Sequence, residues 1–261
     1  MRNIHMHYVK LIVTLMLAVL VGACGESTAP SSSKNEAAST TKQSFVESKK
    51  RADSGDADAQ VNLGLLYAKG EGVPKDYAQA RQWYEKAATQ GNAQAQVNLG
   101  EMYARSEGVP QDYDKAMEWI QKAAAQGHAR AQVDLGEMYA DGWGVPKDAA
   151  KAVEWYQKAA VQGDEAAQFS LGLSYLIGDG VPEDSVLAYA WLNLSAAQGN
   201  ENAKGVRDIV IPKRSQFSSA QRAEAERLSS NWKPGQVLRR ESESASAAGN
   251  MEPAGGALVS K

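Results

Sequence analysis

The sequence predicts an all-α protein, a solenoid of helix-turn-helix units, on three observations. The first is a period of 36 residues, carried by Gln60, Gln96, Gln132 and Gln168, by Gly64, Gly100, Gly136 and Gly172, by Tyr67, Tyr103, Tyr139 and Tyr175, by Pro74, Pro110, Pro146 and Pro182, and by Trp83, Trp119, Trp155 and Trp191. A fixed period in the range of about 20 to 50 residues marks one supersecondary unit stacked on copies of itself. The second is punctuation: Gly55, Gly91, Gly127, Gly163, Gly199 and Gly235 keep the same step, and a Gly-Val-Pro-x-Asp segment divides every unit. The third is spacing between those stops. Ala59, Leu63 and Tyr67 fall at i, i+4 and i+8, one face of a helix.

Residues 1–23 read as a leader. Arg2 and Lys10 precede an apolar run, Leu11 to Val21, shorter than the roughly 20 residues of a membrane-spanning helix and placed as the core of a secretory signal. Val21-Gly22-Ala23-Cys24 resembles the lipobox of bacterial lipoproteins. The resemblance implies cleavage before Cys24 and lipid on its sulfur, which ties the protein to a membrane through Cys24. Gly25 stands where an aspartate would imply inner-membrane retention, so the implied location is a periplasm-facing lipoprotein of the bacterial envelope, in the outer membrane. Cys24 is also the only cysteine, which excludes an internal disulfide framework.

Residues 24–44 are rich in Ser, Thr, Ala, Lys and Glu and read as a flexible tether, too poor in apolar residues to fold. Residues 45–199 read as an N-terminal capping helix followed by four full units. The cap, Phe45 to Ser54, has the register of a second helix, since Ala52 stands one period before Ala88. In each unit helix A starts after Asp56, Asn92, His128 or Asp164, of which the histidine is the weakest N-cap. It stops at Gly70, Ser106, Gly142 or Gly178, and Ser106 should be the least comfortable stop because the left-handed conformation favours glycine. Helix B starts after Asp76, Asp112, Asp148 or Asp184. Its stripe of Ala80, Trp83, Tyr84, Ala87 and Ala88 sets small residues against large ones, so Trp83, Trp119, Trp155 and Trp191 are expected in the core.

Residues 200–235 read as a divergent capping unit. Ala203 keeps the repeat position, Arg207 and Asp208 replace Leu and Gly, Ile211-Pro212 is expected to break the helix, and Ser218 or Ser219 caps a last helix ending on Trp232. Residues 236–261, of Ser, Ala, Gly and Glu, read as a disordered tail.

The pattern A-x-x-x-L-G-x-x-Y, then Gly-Val-Pro-x-Asp, then A-x-x-W-Y-x-K-A-A-x-x-G resembles the Sel1-like repeat, a relative of the tetratricopeptide repeat. That resemblance implies a right-handed α/α superhelix acting as a non-enzymatic scaffold for protein–protein contacts, with no cofactor.

The residues left over for chemistry are few. Beyond the leader the one histidine is His128, at a capping position, so neither a zinc site nor a His-dependent triad has its parts. The glycines are helix stops rather than a phosphate-cradling loop, and Ser31-Ser32-Ser33-Lys34 lies in the serine-rich tether. Glu101 and Glu137, equivalent in neighbouring units, read as a solvated face rather than a hydrolytic pair. Cysteine-rich relatives linked to β-lactams have cysteine pairs that this chain lacks. With 28 basic against 31 acidic residues no nucleic-acid partner is implied.

Binding is the remaining class. With Ala59, Leu63 and Tyr67 inward, helix A turns a second stripe outward, expected to line a concave surface. It reads Val61, Leu65, Lys69; Val97, Glu101, Arg105; Val133, Glu137, Asp141; and Phe169, Leu173, Ile177, with Asn62, Asn98 and Asp134 on its edge. Residues varying over a fixed scaffold suit recognition of an envelope protein or peptide. The apolar stripe of the fourth unit should not be left bare: either the capping unit folds back on it, the preferred reading because that unit follows in sequence, or it holds an apolar partner segment. Trp143 replaces the Glu71, Glu107 and Asp179 of the other units, either as a binding anchor or packed on a neighbouring loop. Together with the acidic stripe it leaves open a second reading, contact with an envelope polysaccharide such as alginate or peptidoglycan.

Overall fold

The computed structural model describes residues 45–214 and 217–240. The expected leader, the tether and Cys24 lie outside them, as does the tail beyond 240. After a first helix, α1 (45–53), four helix pairs follow: α2 (Ala57–Lys69) with α3 (Tyr77–Thr89), α4 (Ala93–Arg105) with α5 (Tyr113–Ala125), α6 (Ala129–Asp141) with α7 (Ala149–Ala160), and α8 (Glu165–Ile177) with α9 (Ser185–Ala197). Each helix packs on its partner, and each helix B packs on the helix A that follows. The described chain is an all-helical solenoid.

The boundaries follow from side-chain chemistry. Asp56, Asn92 and Asp164 accept from the backbone N–H groups of Ala59, Ala95 and Ala167 at 2.9–3.0 Å, satisfying donors that the first turn leaves free. His128 makes the same bond through Nδ1 at 3.4 Å, the slackest cap of the set, and burial lowers its pKa. Each inter-helix loop is tied back identically: the N–H of Asp76, Asp112, Asp148 or Asp184 donates to the carbonyl of Tyr67, Tyr103, Tyr139 or Tyr175. Ser106 takes the left-handed conformation at φ 59° without a glycine, and its hydroxyl donates to the Val109 carbonyl at 3.0 Å.

Within each pair the close approach depends on a missing side chain. A Cβ on Gly64 would stand 2.5 Å from the Tyr84 ring, and one on Gly136 would stand 2.5 Å from that of Tyr156. Ile120 and Leu192 fill the same place against Gly100 and Gly172. Between pairs, a buried glutamine does the joining. Gln60, Gln96, Gln132 and Gln168 donate to the carbonyls of Ala52, Ala88, Ala124 and Ala160. Each also accepts from Gln90, Gln126, Gln162 or Gln198 at 2.7–2.9 Å. The bond to Ala52 shows α1 in the place of a helix B.

The tryptophans sit at the same seams. Trp83 and Trp191 are buried, whereas Trp119 and Trp155 are half-buried. Lys86, Lys122 and Lys158 lie over the outer faces of Trp83, Trp119 and Trp155 at 3.5–4.1 Å. Trp191 has no such lysine, and Trp232 of the capping unit packs edge-on against it.

Three features differ from expectation. Val61, Val97 and Val133 are buried at 8%, 1% and 1% exposure, so the outward stripe begins one residue later, at Asn62, Asn98 and Asp134. The seam between pairs is wider than the two-helix hairpin alone requires, and it takes in the valine. Next, Pro212 does not break its helix. The chain runs from α10 (Glu201–Gly205) through a π turn (Val206–Val210) into α11 (Ile211–Arg214). The π turn widens the coil ahead of the proline, with the Ile211 N–H reaching back to the Val206 carbonyl, and so relieves the clash of a ring in an α-helix. Finally, the last helix, α12 (Ser219–Asn231), lies along α9. Phe169, at the position of the seam valines, packs partly buried on the core, but Ile177 stays 36% exposed and Leu173 half-exposed, so the cap does not cover the whole apolar stripe. Ser218 caps α12 in a reciprocal box with Gln221. Packing continues past Gly235, where the disordered tail was expected to begin: Leu238 is buried, and Arg240 bridges Glu224 at 3.0 Å and Asp184 at 3.3 Å.

Candidate functional site

The outward face of the A helices is the surface on which side chains change from repeat to repeat while the scaffold does not. On α2 it holds Asn62, Leu65 and Lys69, all exposed. Lys69 pairs loosely with Glu71 at 3.8 Å. On α4 Asn98 is half-buried. Its oxygen accepts from Gln94 at 2.9 Å, and its side chain faces the buried Tyr84 hydroxyl, opposing the rise that burial gives the phenol.

The third repeat departs from this arrangement. Asp134 replaces Asn98, and Ile120 replaces the tyrosine that would face it. Asp134 keeps 12% side-chain exposure and one ion pair, Arg130 Nε to Oδ1 at 2.9 Å. Its Oδ2 is buried without a partner, at the place where the preceding repeat supplies a phenol. Burial is the main reason that the carboxyl is raised to about 7. Glu101 and Glu137 push the same way and Arg130 opposes them. An orphaned carboxylate oxygen is expensive to bury, and a retained proton is the cheaper solution.

Arg130 is the hub. It also reaches Glu101 across the repeat junction at 3.3 Å, while Arg105 holds the other Glu101 oxygen at 3.1 Å. These contacts make the α4 and α6 faces one surface. Glu137 and Asp141 stand exposed beside them. Glu137 is raised, first by desolvation, with Asp141 and Glu101 adding to the rise and Arg130 and Arg105 opposing it. Sequence reasoning missed Arg130. The available signal was its i, i+4 spacing to Asp134 and the lack of a base at the matching positions Asp58, Gln94 and Ala166.

Trp143 lies on the loop edge rather than in this network. It stacks on Tyr113 at 5.8 Å and 17°, and Gln111 fixes the Tyr113 hydroxyl at 3.0 Å. The tryptophan is thus packed on a neighbouring repeat and still 41% exposed. Among the described residues no group of three or more His, Cys, Asp and Glu could hold a metal ion, and no helix is long and apolar enough to cross a membrane.

A family model described as Sel1 repeat matches residues 57–92, 93–128, 129–164 and 165–200. The fold is similar to the crystal structure of c5321, a protective antigen of uropathogenic Escherichia coli strains with an SLR fold: TM-score 0.63, 35% identity, covering 72% of this chain and 41% of that one. It is also similar to a Sel1 repeat protein from Oxalobacter formigenes, with a TM-score of 0.58 and 37% identity over 63% of this chain and 47% of the other. The chain thus spans less than half the length of either. No curated protein matched the chain.

Proposed function

Because the chain belongs to the Sel1-repeat family, whose members generally mediate protein–protein interaction, we propose a non-enzymatic adaptor of the bacterial cell envelope, holding a partner protein on the concave, helix-A face. The observation that carries this reading is the contrast between the two sides of each A helix. Inward, every repeat offers the same alanine, leucine, glycine and glutamine. Outward, the face changes from Asn62, Leu65 and Lys69 through the Glu101–Arg130–Asp134 network to Leu173 and Ile177. A rigid array with variable outward residues is how solenoids build specificity. Anchoring through Cys24 rests on the leader pattern. Cys24→Ser should move the protein from the membrane to the soluble fraction.

A second reading, contact with an envelope polysaccharide, is favoured by one feature: Trp143 presents an exposed ring made rigid by Tyr113. Purification of the full chain from envelopes separates the two. The adaptor reading expects a discrete co-purifying protein, and retention on peptidoglycan or alginate with no protein partner would replace it with the second.

A further inference from the structure

The adaptor reading leaves the partner's chemistry open, and the face itself restricts it. On α4 and α6, Glu101, Asp134, Glu137 and Asp141 are set against only Arg105 and Arg130. One repeat on, the counterparts of Glu137 and Asp141 are Leu173 and Ile177, left half-exposed and 36% exposed where the cap stops short. The surface therefore turns from acidic to apolar within a single repeat step. Arg105 and Arg130 are held by Glu101 and Asp134, which leaves the exposed Glu137 and Asp141 without an ion pair among the described residues.

Resting on that reading, we infer that the helix-A face of repeats 3 and 4 receives a partner segment bearing a lysine or arginine side chain and, close along it, a large apolar one. The cation sits against Glu137 and Asp141, the exposed carboxylates of α6. The apolar group covers Leu173 and Ile177. Successive helix-A faces adjoin, as the Arg130–Glu101 contact between α6 and α4 shows; at a separation of about 10 Å an extended chain crosses from one to the next in about three residues, so the two side chains are about three positions apart. Charge complementarity fixes the register, and apolar burial supplies most of the affinity.

The test is selection of a random peptide library displayed on phage against the immobilised full chain, repeated with Glu137→Gln/Asp141→Asn and, separately, with Leu173→Ser/Ile177→Ser. The expected result is enrichment of Lys or Arg with Leu, Ile, Phe or Met about three residues away. Affinity of a selected peptide should fall about tenfold in each double variant, as loss of a charge-assisted hydrogen bond or of an apolar contact implies. Enrichment without a basic residue, affinity unmoved by the variants, or no enrichment overturns the inference. A protein adduct crosslinked from the same face alongside any of those outcomes would leave the adaptor reading in place and remove only this one.

Discussion

Replacing Asp134 with asparagine should make the protein more stable at neutral and alkaline pH and flatten its response to pH. The folded protein holds this carboxyl at about 7 against 3.8 in the unfolded chain. Below pH 4 both states carry the proton and the group contributes nothing. As pH rises through the window to 7, the unfolded state ionises while the folded state resists, so stability falls with each pH unit. At about 1.36 kcal/mol per pH unit the loss reaches about 4 kcal/mol above pH 7. That figure is an upper bound, because Arg130 is 48% exposed and its guanidinium can shift towards the ionised oxygen. In a chain of this size it corresponds to a fall in Tm of up to about 10 °C.

Thermal unfolding followed by circular dichroism at pH 5, 6, 7 and 8 reads the effect directly. The native chain should lose Tm across the series, and Asp134→Asn should lose much less and overtake it at pH 8. Ile120→Tyr is the informative companion. It restores the phenol that Tyr84 offers Asn98, in a slot that Tyr84 and Tyr156 already fill against Gly64 and Gly136, and should lower the Asp134 pKa. Parallel pH profiles for the native chain and Asp134→Asn would refute the assignment of Asp134 as a buried, proton-retaining carboxyl.

Other expectations follow from the packing. Gly136→Ala places a Cβ 2.5 Å from the Tyr156 ring and 3.2 Å from the Ala152 carbonyl, and should cost about 1–3 kcal/mol in urea unfolding. Gln96→Leu takes one donor from the Ala88 carbonyl, which keeps the Gly91 N–H, and leaves Gln126 only the Lys122 carbonyl at 3.4 Å; it should destabilise by about 1–2 kcal/mol, whereas Gln94→Leu on the exposed face should change little. Ser106→Gly should stabilise by about 0.5–1 kcal/mol: it relieves the left-handed strain and gives up the hydroxyl bond to Val109. Trp143→Ala should leave the fold intact and weaken any retention on polysaccharide.

The solenoid was legible because its signals are local and repeated. A single Asp-to-helix junction is weak evidence, but the same cap one period apart in successive units, each closed by glycine or Ser106, fixes where helices begin and turn. The close approach at Gly64 and its equivalents was readable too, since a glycine beside an apolar helical face has few other uses. What sequence did not reveal depends on side chains meeting across units. Helical periodicity places Val61 near the boundary between inward and outward faces, and only the adjoining helix decides that it is buried. Gln60 and its equivalents marked the period without disclosing their role, because the carbonyls and amides that they join lie in neighbouring helices. Pro212 signalled a break by its own propensity, but a π turn absorbed it. The Asp134 site was hidden for the same reason. Asn98 and Asp134 look interchangeable until one sees that Tyr84 faces the first and Ile120 the second.

The central claim, that the outward helix-A face grips a protein, is tested most directly by photocrosslinking in cells. Leu65 and Glu137 are suited to carrying the photoreactive residue, being exposed and outside the Arg130 contacts, and Gln121 on α5 is an exposed control. The account expects a discrete protein adduct from Leu65 and Glu137 and none from Gln121. Equal labelling from all three positions, or attachment to polysaccharide alone, would contradict it.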